Sequence, residues 1–275
     1  MSVKELTITS FAHFQEKLCE IYDRHMKQVA EWDEQKKSEK FANPIDYNYL
    51  KPQKNLLFRG VKNSIHRLVP KVGRDKRLYM NEVGILRSFK ERGISNFPIP
   101  PKDDWEWITI AQHHGLPTRL LDWSVSPMVA AYFAVEDAEI EDDADECAIF
   151  VLARIKTISI NQLPDYPEGP LSISTKTKNM TMRFAPPYHN NPRIVAQRGL
   201  FTIHPKPDVP LDDIREMREG LWKLIIKGKD LQRHFKNSLD VIGINRETLF
   251  PDLDGLANYI QWNYSQRKNA PLFCL

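Results

Sequence analysis

The sequence predicts an α+β fold in a single domain, and three features of the chain lead to this prediction. Apolar residues recur three to four positions apart, as is typical of helices, near both ends and in the middle of the 275 residues. Three apolar runs after residue 147 are typical of strands. No internal repeat or convincing linker divides the chain.

Local capping signals position the predicted helices. Ser10 and Ser126 each precede an apolar series and can cap free amides, and Pro127 suits a first helical position. Gly93 and Gly115 are expected to end helices. The first predicted helix starts at Ser10. The others span Glu82–Arg92, Trp105–His114, Met128–Val135, Lys229–Leu239 and Asp252–Tyr264.

The predicted strands and loops follow from composition. Apolar and β-branched runs are typical of strands, whereas prolines and charge runs favour loops. The predicted strands are Leu56–Gly60, Ala148–Ile155, Ile194–Ile203 and Leu221–Lys227. The predicted loops lie within Glu31–Lys54, Phe97–Pro101, Glu136–Glu146 and Thr175–Pro192.

The composition argues against several classes of protein. Hydrophobic residues make up 41% and charged residues 27%, which is ordinary globular usage. The apolar runs are too short to span a bilayer and no secretory signal precedes them, so we expect no membrane partner and a cytoplasmic location. Cys19, Cys147 and Cys274 form neither a disulfide framework nor a zinc motif.

Charge is distributed unevenly along the chain, although the net charge is only +3. Between Arg59 and Arg92 there are ten Lys or Arg residues and three acidic ones, whereas Glu136–Glu146 holds eight acidic residues in eleven positions. A basic stretch makes an anionic ligand plausible, although a charge run is more often a solvated surface.

Three segments carry the candidate functional residues. The first is Phe58-Arg59-Gly60, in which a guanidinium stands beside a residue without a side chain, so that charge and backbone can approach an anion together. Taken alone, the tripeptide is more typical of a surface arginine at a turn.

The second segment, residues 112–127, places many functional groups around a turn and a helix N-terminus, where free amides favour anions. Its candidates are His113, His114, Arg119, Asp122, Trp123 and Ser124. Metal binding is not favoured because no H-E-x-x-H or H-x-x-E-H spacing occurs. A structural alternative pairs Asp122 with Arg119 and buries Trp123 in the core.

The third segment is the predicted strand Ile194–Ile203, which Gln197, Arg198 and Gly199 interrupt. Such an interruption indicates either a bulge or a close approach of a ligand. A G-x-S-x-G hydrolase motif and a glycine-rich phosphate loop are both missing from the sequence.

Several blocks of the sequence resemble the FRG domain family. They are Leu57–Gly60, Trp105–Ala134, Gln197–Phe201 and Leu249–Leu256, in the family's order. The resemblance implies an FRG domain over 35–265, which leaves the N-terminal helix, predicted from its apolar spacing, in 1–34 and a C-terminal tail in 266–275. It also associates the chain with bacterial phage defence or toxicity, although a family does not by itself define a mechanism.

A weaker resemblance is to the ADP-ribosyltransferase superfamily. It implies a central, mostly antiparallel, split or strongly twisted sheet flanked by helices, with NAD as substrate. In that comparison Arg59 would hold the nicotinamide ribose or a phosphate, and Trp123, Tyr132 or Phe133 would stack on the nicotinamide. Gln197 would stand on a strand where transferases carry a glutamate that holds the ribose.

Glutamine can orient a ribose but supplies neither a negative charge nor a general base. Either another carboxylate, with Asp122 first, supplies the charge, or the protein binds a nucleotide without transferring it. The sequence therefore leaves two hypotheses. One is an NAD-consuming transferase or glycohydrolase with a protein, nucleic acid or water as acceptor, and the other is a non-catalytic sensor of nucleotides or nucleic acid.

Overall fold

The computed structural model describes residues 3–38, 56–139, 145–153, 156–158, 169–172, 182–184, 192–218 and 220–266. Their strands form one mixed sheet flanked by helices, so the predicted α+β class is confirmed. Five of the neighbouring strand pairs are antiparallel, and two, β1 with β8 and β5 with β6, are parallel.

Eight strands of the described residues lie in the order β1-β8-β4-β2-β3-β7-β6-β5. Their bounds are β1 Lys4–Ile8, β2 Leu57–Val61, β3 Leu120–Ser124, β4 Glu146–Leu152, β5 Lys156–Ile158, β6 Met182–Phe184, β7 Gly199–Ile203 and β8 Leu221–Lys227.

The sheet is split between its two central strands. β2 pairs along all five residues with β4, and β3 pairs along all five with β7. By contrast, β2 and β3 pair at one position, Phe58 with Ser124. Beyond this pair the two strands diverge, and one half of the sheet separates from the other.

The helices of the described residues include several short turns. Their bounds are α1 Phe11–Ser38, α2 Lys76–Met80, α3 Glu82–Gly93, α4 Asp104–His113, α5 Pro127–Val135, α6 Pro192–Ala196, α7 Arg215–Arg218, α8 Lys229–Val241, α9 Arg246–Leu249 and α10 Leu253–Gln266. Ser126 caps α5, with Pro127 at its first position as predicted, and Asp103 caps α4.

Two groups of helices cover one face of the sheet and leave a gap between them. α1, α5 and α8 pack on β2, β4 and β8 through a buried cluster that includes Phe14 and Phe235. α3 and α4 pack on β3 and β7 through a second cluster around Trp105. Phe58, which belongs to the first cluster, pairs with Ser124 of β3, so their side chains share this face of the sheet. Side chains alternate along a strand, so Asp122, two residues before Ser124, lies on the same face, between the two groups of helices.

Two segments differ from the predicted pattern of strands. Residues 194–196 belong to α6, not to a strand, because Pro192 starts a helical turn that ends at Gln197 and Arg198. Only Gly199–Ile203 is extended. The strand β3 was expected to be part of a turn, but Leu120–Ser124 pairs along its whole length with β7.

Other differences are smaller. Gly93 does not end a helix in the left-handed conformation, since its φ is −88° and a 3-10 turn follows, whereas Gly115, with a φ of +80°, does end α4. The predicted loop Thr175–Pro192 contains β6. Part of the acidic run makes ion pairs instead of being only solvated, and residues 140–144 lie outside the described residues.

Candidate functional site

A cleft of about 440 Å³ lies where β2 and β3 diverge. Side chains of both strands, α5, the α6–β7 turn and the residues after α9 form its walls. Its lining includes Phe58, Arg59, Gly60, Lys62, His66, Arg67, Arg74, Gln112, His113, Asp122, Trp123, Ser124, Phe133, Arg193, Ile194, Gln197 and Phe250. Arg59, Asp122 and Gln197, the three residues that sequence analysis selected for catalysis, therefore line one cleft.

Arg59 bridges the split in the sheet. Its Nη1 donates a hydrogen bond of 2.5 Å to the main-chain carbonyl oxygen of Asp122 and lies 3.6 Å from the Asp122 carboxylate. Among the described residues, its Nε and Nη2 atoms have no partner. These two donors form a fork that suits a bidentate anion, and they remain available to a ligand in the cleft.

The environment of Arg59 favours an anionic ligand. Burial lowers the pKa of Arg59 below its usual value, and the charge of Arg74 lowers it further, while Asp122 opposes both effects. The Arg59 side chain is 18% exposed and that of Asp122 is 59% exposed, so one carboxylate in contact with solvent offsets a largely buried cation. Arg74 lines the same cleft without a carboxylate partner among the described residues.

Two neighbouring side chains hold the carboxylate of Asp122 in place. Gln112, at the end of α4, donates from Nε2 to Asp122 Oδ2 over 2.9 Å. Thr118 donates from Oγ1 to Gln112 Oε1 over 2.5 Å and accepts from the Leu120 amide over 3.1 Å. The Gln112 amide cannot flip without losing both bonds, so it fixes one oxygen of Asp122 and leaves the other for the cleft.

Gln197 lines the cleft from a turn and not from a strand. Its Nε2 donates to the Leu249 carbonyl oxygen over 3.1 Å, and its main-chain oxygen accepts from Ser124 Oγ over 2.8 Å. The expectation that Gln197 stands on a strand is therefore wrong. The Gln197 amide connects the α6–β7 turn to the end of α9.

The wall around Phe250 was not identified from the sequence. Arg193 forms an ion pair of 2.5 Å with Asp252, and its guanidinium lies 5.4 Å from the Phe250 ring centre. Arg246 stacks on the same ring at 4.1 Å, and Phe133 meets it edge to face at 6.1 Å. The Leu249–Leu256 block was the available signal, because it lay in the resemblance without an assigned role.

Gly60 lines the cleft and is also required for the packing of β2 on α5. A Cβ atom at this position would lie 2.0 Å from the Ala130 carbonyl oxygen and 2.6 Å from the Ala134 amide nitrogen, both in the backbone of α5. The missing side chain of Gly60 therefore allows a close contact between strand and helix, and the approach of an anion to its backbone stays a prediction.

Four candidate residues are not among those that line the cleft. Arg119 is buried and forms a two-bond ion pair with Glu82, at 2.9 and 2.6 Å, instead of pairing with Asp122. Tyr132 is buried on the side of α5 that faces a separate cavity near Arg246. His114 and Arg198 are also missing from the cleft wall. Arg198 adopts a φ of +48°, which the tight α6–β7 turn requires.

Trp123 lies at the base of the cleft but belongs mainly to the core. It is 3% exposed, and its Nε1 donates to Thr202 Oγ1 over 3.0 Å, as the structural alternative of a buried tryptophan implied. Thr202 Oγ1 in turn lies 2.8 Å from His204 Nε2. Burial, together with the charges of Arg59 and Arg119, lowers the pKa of His204 to about 3, so this histidine is neutral.

His113 is the histidine of the pair that reaches the cleft. Burial lowers its pKa below the usual value, and His114 and Arg193 lower it further, whereas Asp122 and Asp252 oppose the shift. His113 is therefore mainly neutral at physiological pH and can accept or donate a hydrogen bond to a ligand.

Two basic residues of the cleft rim are neutralised by carboxylates. Lys62 lies 3.0 Å from Glu136 and 2.5 Å from Asp137. Burial acts to lower the pKa of Lys62, but the bonds to these two carboxylates outweigh it and raise the pKa. Arg67 similarly contacts Asp212 and Asp213, at 2.5 and 2.8 Å. Among the described residues, Arg74 is therefore the basic side chain of the cleft wall without a carboxylate partner, and Arg59, which lies beside Asp122, keeps two donors without a partner.

Two broader properties bear on possible partners. Within the described ranges, no group of three or more His, Cys, Asp or Glu residues is arranged to hold a metal ion. None of the helices described is both long enough and apolar enough to cross a bilayer.

Comparisons with known proteins identify one family. Neither the curated proteins nor the solved structures include a significant match to the chain. The family model of the FRG domain matches residues 54–143. This range contains β2, α4, β3 and α5, and with them Arg59, Gln112 and Asp122. The resemblance seen in the sequence is thus confirmed over residues 54–143.

Proposed function

We propose that the cleft binds NAD or a related nucleotide and that the protein acts on it as an ADP-ribosyltransferase or an NAD glycohydrolase. The observation that carries the proposal is the placement of Arg59 and Asp122 on either side of one split in the sheet. A guanidinium with two available donors there lies beside an exposed carboxylate.

Arg59 and Arg74 would bind the phosphates. The Nε and Nη2 atoms of Arg59 supply a bidentate donor, and Arg74 adds a second positive charge on the same wall. A pyrophosphate carries enough negative charge to compensate both. The cavity of about 440 Å³ lies in the usual range for small-molecule sites.

Asp122 would stabilise the reacting ribose. In the proposed reaction the bond between ribose C1′ and the nicotinamide nitrogen breaks, and nicotinamide leaves with the electron pair. The ribose then carries positive charge, which the fixed carboxylate of Asp122 offsets. A nucleophile from water or an acceptor forms the new bond at C1′ and releases its proton to Asp122 or to solvent.

Phe133 is the aromatic residue best placed to contact the nicotinamide. It is half-buried and lines the cleft beside Phe250. Trp123 exposes little of its ring and Tyr132 faces another cavity. The split sheet, with the arginine on one strand and the carboxylate on the next, supports the resemblance to the ADP-ribosyltransferase superfamily.

The test measures NAD binding by calorimetry and nicotinamide release by chromatography. We expect Asp122→Asn to reduce release by about 100-fold or more, because the amide carries no charge, while NAD affinity changes little. Asp23→Asn, at an exposed position on α1, is the matched control and should behave as wild type. If wild type neither binds NAD nor releases nicotinamide, the proposal is wrong.

A third outcome distinguishes the sensor hypothesis. Gln197 brings no charge to the cleft, and its amide already bonds the Leu249 carbonyl oxygen. NAD binding without nicotinamide release from any acceptor would identify a nucleotide-binding module instead of an enzyme.

A role in phage defence or toxicity would follow from NAD consumption. Expression of the wild-type chain in bacteria should then lower the cellular NAD level and slow growth, whereas Asp122→Asn should do neither. If wild type and Asp122→Asn slow growth equally, toxicity does not arise from NAD consumption at this site.

A further inference from the structure

A short basic segment adjoins the cleft and is not explained by nucleotide binding alone. Lys71, Arg74, Lys76 and Arg77 fall within seven residues, and all four are exposed. The single acidic residue among them, Asp75, accepts a hydrogen bond from the Arg77 amide as the cap of α2. None of the four basic side chains makes an ion pair with a described carboxylate.

The segment joins the cleft at Arg74. Arg74 lines the cleft itself, and its Nε donates to the Val69 carbonyl oxygen over 3.0 Å. Lys71 Nζ donates to the Gly115 carbonyl oxygen over 2.7 Å, directly after His113 and His114. A positively charged surface therefore continues outward from the wall that holds Arg74.

The rest of the cleft rim lacks such an excess of charge. Lys62 and Arg67 are each held by two carboxylates, and Arg193 pairs with Asp252. The four basic residues are close together in the chain, and neighbouring charges of the segment are separated by no more than roughly one Debye length. Salt therefore does not fully screen them from one another, and they act on a ligand as one patch. A polymer with closely spaced negative charges suits this arrangement better than a single small anion does.

The cleft favours a single strand of nucleic acid as that polymer. Single-strand sites combine a basic surface that follows the backbone with aromatic rings that contact unstacked bases. The half-buried rings of Phe133 and Phe250 lie in the cleft to which the basic segment leads. A base that is stacked and paired in a duplex cannot enter a cleft of this size unless it leaves the stack.

We propose that the segment Lys71–Arg77 is a docking surface for the phosphate backbone of single-stranded nucleic acid, which it directs towards the cleft beside Asp122. This docking does not depend on NAD chemistry.

The test measures fluorescence anisotropy of labelled single-stranded DNA and RNA of about 20 nucleotides, long enough to cover the four basic residues. In roughly 50 mM salt, Lys76→Glu/Arg77→Glu should raise the Kd by about tenfold or more and flatten its dependence on salt, because phosphate contacts are lost. Arg24→Glu/Lys27→Glu is the matched control. It makes the same charge change at exposed positions of α1, which lines no part of the cleft.

Each other outcome overturns a defined part of the proposal. If wild type does not bind the oligonucleotide at low salt, or if both double variants lose the same oligonucleotide affinity, the segment is not a docking surface. Equal affinity for duplex and single strand removes the preference for a single strand. Displacement of the oligonucleotide by polyglutamate at equal charge concentration indicates an acidic protein instead.

The proposed function is tested on the same samples. NAD binding is measured by calorimetry for wild type and both double variants, and it should be equal in all three because Arg74 is unchanged. NAD binding without nucleic-acid binding overturns only the docking surface. Nucleic-acid binding without NAD binding overturns only the proposed nucleotide chemistry.

Discussion

Arg59 donates a hydrogen bond to the carbonyl oxygen of Asp122 across the gap where β2 and β3 no longer pair. A side chain thus replaces part of the strand ladder. The same guanidinium closes the split in the sheet and presents its remaining donors to the cleft, so structure and binding depend on one residue.

Arg59→Lys is expected to separate these two roles. A lysine has one nitrogen, which cannot both bond the Asp122 carbonyl oxygen and act as a fork toward a phosphate. We expect the free energy of unfolding to fall by about 1–3 kcal/mol, from the weakened buried bond, and the Kd for NAD to rise by about tenfold or more. Chemical denaturation and calorimetry measure the two effects. Wild-type NAD affinity in Arg59→Lys would contradict the role of the fork.

Gln112→Glu tests whether Gln112 positions Asp122. The substitution places a second carboxylate against Asp122 Oδ2, and two adjacent carboxylates share a proton, so the pKa of the pair rises. Nicotinamide release should fall at neutral pH, and the acidic limb of its pH profile should move upward by about one unit. Gln112→Leu removes the bond without adding charge and should reduce release with a smaller upward movement of the profile, because the carboxylate loses one donor but gains no like charge. An unchanged profile in Gln112→Glu would contradict this assignment.

Gly60→Ala is expected to destabilise the protein strongly. The added Cβ meets backbone atoms of α5 at 2.0 and 2.6 Å, so β2 and α5 must separate. We expect the free energy of unfolding to fall by roughly 2–4 kcal/mol, which urea denaturation measures. Gly84→Ala, inside α3 with open space around it, is the control and should stabilise by about 0.5–1 kcal/mol. Similar values for the two variants would contradict the close contact at Gly60.

Arg119 and Glu82 are expected to stabilise the fold as a pair without taking part in ligand binding. Both are buried, so Arg119→Met leaves an unpaired buried carboxylate and should cost about 3–5 kcal/mol of unfolding free energy. Arg119→Met/Glu82→Leu removes both charges and should recover most of that loss. The double variant should bind NAD as wild type does. If the double variant is stable but binds NAD more weakly than wild type, Arg119 does contribute to ligand binding and this prediction is wrong.

His204 is expected to make stability depend on pH. Its pKa is about 3 in the folded state and about 6.5 when unfolded, so the unfolded chain binds the extra proton between these values. The contribution is complete above pH 6.5 and is lost as the pH falls toward 3. Other groups titrate in both wild type and His204→Asn, so their effects cancel in the difference between the two unfolding free energies. That difference should therefore shrink with acidification, since only wild type loses the contribution of His204. A difference that is independent of pH would contradict the neutral buried histidine.

Short-range signals could be read from the sequence where a few neighbouring residues determine the structure. Ser126 and Pro127 start α5, and Gly115 ends α4, as predicted. The run Leu221–Lys227 was also predicted to its bounds, since five of its seven residues are apolar and buried in the sheet. Each of these signals depends on residues close together in the chain.

Signals that depend on distant contacts were missed. Residues 194–196 are β-branched or small and suggested a strand, but bonds from Arg193 to Asp252 and from Gln197 to Leu249 hold this segment as a helical turn. The cleft itself depends on the order of the strands. Arg59 and Asp122 are 63 residues apart, and nothing local shows that β3 lies beside β2.

The parallel pairing of β1 with β8 has a consequence for synthesis of the chain. Glu5 and Lys223, which join these strands by an ion pair, are 218 residues apart. At ribosomal rates the first strand waits roughly 10 to 45 s for its partner to be made. During that time β8, the one strand that pairs with β1 among the described residues, does not exist, so folding around β1 finishes after most of the chain has been translated.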